Sequence, residues 1–227
     1  MTGSETTSPR SWQVAVLVVA PATLLVALVA HPFIEGTLPN QTAIAEEVVA
    51  GPMRWGVVHL ASSLASALIA VAFLAVRNHL HEAGEDRLSG LGMPFVIVGS
   101  TLYAVLPGME FAALAAAETG TTTAEVAEVQ DAIGPWFMPV LIAGGLTFGL
   151  GVISFVGAIR ASKIASAGIT QVVSASLIVM ALSRIIPLSV TQFYIHGLAA
   201  VVAMWPLAYV IRAKLRQTSL ASAVTVG

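Results

Sequence analysis

The sequence contains no cysteine. Disulfides, thiolate metal sites, iron–sulfur clusters and cysteine nucleophiles are therefore excluded. Charge is nearly as scarce. Asp, Glu, Lys and Arg make up 10% of the chain, where a soluble domain carries about 25%, so there is too little charge to solvate a globular surface. The net charge of −2 offers no basic face for nucleic acid, and no nucleic-acid partner is expected. The polar–apolar alternation of barrel strands is missing as well. No HExxH or HxxxH pair occurs, so any metal site has to be assembled from separate segments.

What the chain does contain is apolar residue: 57% of its 227 residues, at a mean hydropathy of +0.89. The charges divide it into uncharged intervals at 11–34, 55–76, 88–109, 132–159, 164–183 and 185–211. Each is long enough to cross a ~30 Å hydrocarbon core as a helix, which takes roughly 20 residues. The expectation is an all-α polytopic membrane bundle of six transmembrane helices, about 12–33, 53–76, 92–116, 134–159, 166–187 and 190–211. It forms a single domain over 1–227, with short disordered tails at 1–9 and 217–227. "ALVA" before His31 is a weak signal-cleavage match, but the apolar run exceeds a signal h-region and is kept as a helix.

Basic residues set the orientation. With the N-terminus inside, the inner side holds Arg10, Arg77, Arg87, Arg160, Lys163, Arg212, Lys214 and Arg216, and the outer side only Arg54 and Arg184. Both termini are expected in the cytoplasm, in a prokaryotic plasma membrane. The outer loops are acidic. Asn40-Gln41-Thr42 is formally a glycosylation sequon, and the outer stretch 118–131 is expected to carry a short surface helix capped by Thr122 or Thr123. Pro107-Gly108 should break the third helix. Gly145 and Gly149 form a GxxxG on the fourth, which suits tight helix packing, including a homo-oligomer contact.

An ionisable side chain in hydrocarbon costs roughly 2.5–3.5 kcal/mol on insertion scales, so each one is a functional candidate. His31, His59, Glu110, Arg184 and His196 all fall within the outer ~10 Å of the membrane when counted at 1.5 Å per residue. The helical repeat adds Ser62, Ser63 and Ser66 to the His59 face, Ser100, Tyr103 and Pro107 to the Glu110 face, and Gln192 to the His196 face. Arg184 is expected to pair with Glu110, since each needs a partner.

Three histidines and a carboxylate suit zinc, copper or iron. His59, His196, Glu110 and His31 are therefore the candidate metal ligands, and His59 with His196 could alternatively be axial ligands of a b-type haem. Arg184, Tyr103, Tyr194, Gln192 and Ser63 are candidates for a substrate or ion pathway. An open metal position would allow hydrolysis or oxidation of a lipid-like substrate. A transporter for small molecules or protons, and a non-catalytic subunit of a membrane complex, are the alternatives. Besides the lipid bilayer and the possible second copy, no partner is implied.

Overall fold

A computed structural model describes residues 11–226, with side chains described as far as Gln217. The first nine residues, expected as a tail, lie outside the described residues. The described chain is helical throughout, without strands. In order it forms α1 (Ser11–Ala30), α2 (Gln41–Ala50), α3 (Pro52–Glu82), α4 (Arg87–Met109), α5 (Phe111–Glu118), α6 (Thr123–Ser162), α7 (Ala167–Ser183) and α8 (His196–Val226). A π-helical turn (Val190–Ile195) leads into α8. The backbone of α8 continues to Val226, past residue 217 where an unstructured tail was expected.

Among the described residues five stretches are long and apolar enough to cross a membrane: α1, α3, α4 with α5, α6, and the π turn with α8. The predicted fifth segment folds as α7, whose 17 residues span only about 25 Å at 1.5 Å per residue. Large apolar side chains such as Val26, Leu60, Leu146, Ile153 and Tyr209 face outward. Water penalises such a belt and lipid does not.

Two elements differ from the sequence reading. The connection between α1 and α3 contains α2, started by Asn40, whose side chain accepts a hydrogen bond from the Ala43 N–H at 3.3 Å. The Asn of the formal sequon thus caps a helix. The second difference is α6. The short surface helix and the fourth transmembrane helix are one continuous helix of 40 residues running through Pro135 and Pro139. Thr122 and Glu125 close a capping box at its start, so its first turn has its free N–H groups satisfied and does not need a separate segment. At about 60 Å it exceeds the hydrocarbon core and must project beyond it.

The core runs along the bundle axis. Phe73 meets Phe148 and Phe155 edge-on, with ring centroids 5.9 and 4.8 Å apart. Glycines let α4 and α6 approach: a Cβ on Gly99 would stand 2.5 Å from the Phe148 nitrogen, and one on Gly151 would stand 2.6 Å from Val96. The small-residue surface of α6 is thus used partly inside the chain. Of the GxxxG pair, Gly145 lies against the Tyr103 hydroxyl, whereas a Cβ on Gly149 would meet nothing within 4 Å. A second, smaller core of Ile34, Ile44, Val48, Trp55, Leu114 and Val126 joins the α1–α3 connection to α3, α5 and α6. Through Ile34, Ile44 and Trp55 it roofs a cavity in the bundle.

Candidate functional site

A cavity of about 390 Å³ lies beneath this roof. Its walls are mostly apolar, with Leu24, Leu28, Leu106, Phe137 and Leu141 among them. Met138, Ile142, Leu146 and Ile185 line it and are also exposed. The cavity therefore reaches the outward-facing surface between α6 and the turn after α7. His31, His59, Tyr103, Glu110, Arg184, Gln192 and His196 all line it. Five ionisable residues judged only by membrane depth are brought to one space.

Two sequence candidates are placed elsewhere. Ser63 donates from its hydroxyl to the Ala104 carbonyl at 3.0 Å and joins α3 to α4. Tyr194 is half-buried and is not part of the lining. Ser62 and Ser66 line the cavity instead. The expected Arg184–Glu110 pair is not formed: among the described residues no ion pair joins them. Equal depth does not mean equal azimuth. The Arg184 guanidinium lies over the Tyr103 ring, 4.5 Å from its centroid, a cation–π contact. Glu110 accepts a hydrogen bond from the Gln130 amide in the N-terminal part of α6.

Broken helices supply the backbone acceptors here. Helix α4 runs through Pro107 to Met109, and the single residue Glu110, its backbone still in the αR region, separates it from α5. The end of α7 frees carbonyls that side chains of α8 and its π turn take up. His196 donates from Nδ1 to the Met180 carbonyl at 2.8 Å, and Gln192 donates to the Arg184 carbonyl at 3.2 Å. The segment between α1 and α2 is clipped to the same region: the Ser189 hydroxyl donates to the Ile34 carbonyl and the Leu38 N–H to the Pro187 carbonyl.

At the roof, His31, Trp55 and His59 form an aromatic cluster. The Trp55 ring stacks on His59 at 4.3 Å, and His31 is 4.9 Å from His59 and 4.3 Å from Phe193. The two imidazole Nε2 atoms are 3.4 Å apart. Among the described residues, four side-chain donors around the cavity have no hydrogen-bond partner: Trp55 Nε1, the Ser62 and Tyr103 hydroxyls and Arg184 Nε. Among the described residues no three His, Cys, Asp or Glu side chains converge to hold a metal ion.

The sequence reading missed Gln130. The signal was there: Val126, Gln130, Gly134, Phe137 and Leu141 repeat on one helical face straight through Gly134-Pro135, where a new helix was assumed to begin. The pair it makes is testable. Glu110→Ala leaves the buried Gln130 amide without its acceptor, at about 1–3 kcal/mol. Glu110→Leu with Gln130→Leu removes both groups and is expected to cost less than Glu110→Ala alone, read by thermal denaturation in detergent. A double change that costs as much as the sum of the single ones would show no coupling.

The chain matches no protein-family model, no curated protein and no solved structure.

Proposed function

We propose that this membrane protein binds an amphipathic anion: a hydrocarbon chain in the apolar cavity, with a carboxylate or phosphate head on Arg184. One observation carries the reading. A guanidinium with no carboxylate partner among the described residues shares a mostly apolar cavity with three further unpartnered donors, Trp55 Nε1 and the Ser62 and Tyr103 hydroxyls. A cation in such surroundings is stabilised by a counter-anion that can also accept hydrogen bonds. Glu110 is already engaged by Gln130 and does not compete for it. The sideways mouth suits a ligand that arrives through the bilayer. Six membrane crossings, with α7 as a short fifth and both termini cytoplasmic, would place that mouth in the outer leaflet. The role is that of a carrier or receptor for such a molecule.

A b-type haem between His59 and His196 fits this geometry less well. The His59 Nε2 that would hold iron has His31 Nε2 only 3.4 Å away, inside the volume a porphyrin plane would occupy.

The test is displacement of a fluorescent fatty acid from the purified protein by oleate, oleyl phosphate and oleyl alcohol. The two anions are expected to displace it and the alcohol to compete weakly. Arg184→Gln should weaken anion binding by about tenfold or more, since a hydrogen bond to a charged group contributes about 1.5–3 kcal/mol. Equal competition by the alcohol, or an unaltered Arg184→Gln, would overturn the reading.

A further inference from the structure

We infer that His31 and His59 together hold one divalent transition-metal ion, zinc by preference, through their Nε2 atoms. The other ring nitrogens fix the tautomers. His31 Nδ1 is 2.7 Å from the Pro32 carbonyl oxygen, and His59 Nδ1 is 2.7 Å from the Trp55 carbonyl oxygen. A carbonyl oxygen can only accept, so both Nδ1 atoms carry the hydrogen. In the neutral rings both Nε2 atoms then present lone pairs. They face each other at 3.4 Å on side chains that are 7% and 5% exposed.

Two buried lone pairs at that distance repel unless a cation lies between them. A shared proton would draw the nitrogens to about 2.7–3.2 Å. A tetrahedral zinc with nitrogen ligands at about 2.0–2.1 Å sets neighbouring donors about 3.3–3.4 Å apart, the edge of the tetrahedron. The observed separation is that edge. The carbonyl contacts at Nδ1 are also the arrangement that orients metal-bound histidines and raises their basicity.

The chain supplies two ligands, and the cavity leaves the remaining positions open. Arg54 and Arg184 are the charged groups that act on His31. Arg54 is held by the Ala30 carbonyl at 2.9 Å. Their positive charge opposes a bare cation and favours an anionic ligand at the open positions. The inference does not rest on an amphiphile occupying the cavity.

The experiment uses tag-free, full-length protein in detergent, with the metal ion alone as probe. Zinc is measured by elemental analysis after dialysis, and cobalt(II) replaces it as a visible reporter of tetrahedral geometry. Wild type is expected to retain one equivalent and to show the intense bands of tetrahedral cobalt. His59→Ala and His31→Ala should each lose them. His31 lies beyond the end of α1, so its variant is the one less exposed to a folding defect, and thermal denaturation checks both. His81→Ala should leave binding unchanged, since that imidazole is exposed and sits 2.6 Å from Asp86 on another loop. Wild type without bound metal, metal retained by both variants, or metal lost with His81→Ala would overturn the assignment.

Discussion

Gly99→Val is expected to destabilise the bundle by an amount at or above the upper end of the ~1–3 kcal/mol typical of overpacked cores. The reason is what the new Cβ would meet. At Gly99 the nearest atoms are the nitrogen, Cα and Cβ of Phe148, at 2.5, 2.7 and 2.7 Å. No rotamer change can move a helix backbone, so α4 and α6 have to separate. That separation loosens Phe148 from Phe73 and Tyr103, its ring neighbours, and forfeits close dispersion contacts along the interface. Gly149→Ala on the same pair of helices is the counterpart. Nothing lies within 4 Å of its Cβ, and alanine gains about 1 kcal/mol of helix propensity over glycine. The two variants should move the thermal transition in detergent in opposite directions. Equal shifts would mean that the approach of α4 to α6 does not limit stability. A Gly149→Ala variant that destabilises strongly would instead point to a second copy packed on that edge.

The same glycines show how far sequence reading reaches. A GxxxG at Gly145 and Gly149 marks a small surface but not what covers it. The closest helix contact uses Gly99 and Gly151 on facing helices, a pairing that no spacing within one helix reveals. Long apolar segments were legible because hydropathy is a property of each segment alone. Counting residues from the helix ends gave His31, His59, Glu110, Arg184 and His196 a common expected depth; the structure brings the five to one cavity.

Azimuth was less legible. Four residues of α3 share a face by helical spacing, yet Ser63 turns to Ala104 in α4 while Ser62 and Ser66 line the cavity. Opposite charges at one depth suggested an Arg184–Glu110 pair, whereas each has a nearer neighbour, Tyr103 and Gln130. Proline was a poor guide to helix ends. The break expected at Pro107-Gly108 does not occur there, since α4 continues through both residues to Met109, and α6 runs through Pro135 unbroken. Neighbouring elements in a membrane bundle can re-satisfy a freed carbonyl, and the local sequence does not say whether they will. The role of Asn40 was hidden for a simpler reason: α2 has 10 residues and carries Glu46 and Glu47, so it leaves no membrane-length signal.

Trp55→Ala is expected to cost about 3–5 kcal/mol, the range for removing a buried large aromatic. The residue is 2% exposed, belongs to the smaller core, and stacks on His59 at 4.3 Å. Its loss opens a void between the roof and the cavity and frees the His59 ring to turn, so bound metal should be lost with it. Such a result alone would not separate packing from binding. Trp55→Phe does. A phenyl ring keeps the aromatic face but is smaller than indole, so part of the cavity cost of Trp55→Ala remains at this buried position. The change also deletes the Nε1–H, which has no hydrogen-bond partner. If that donor serves nothing, its removal is neutral or stabilising, because an idle buried donor is itself unfavourable. If it contacts an anionic head, affinity for oleate should fall by roughly tenfold or more while the thermal transition falls less than in Trp55→Ala. Metal retention should survive in Trp55→Phe, since the backbone carbonyl that orients His59 remains. A Trp55→Phe variant with unchanged metal content and oleate affinity would remove Trp55 from the binding site and leave it a packing residue.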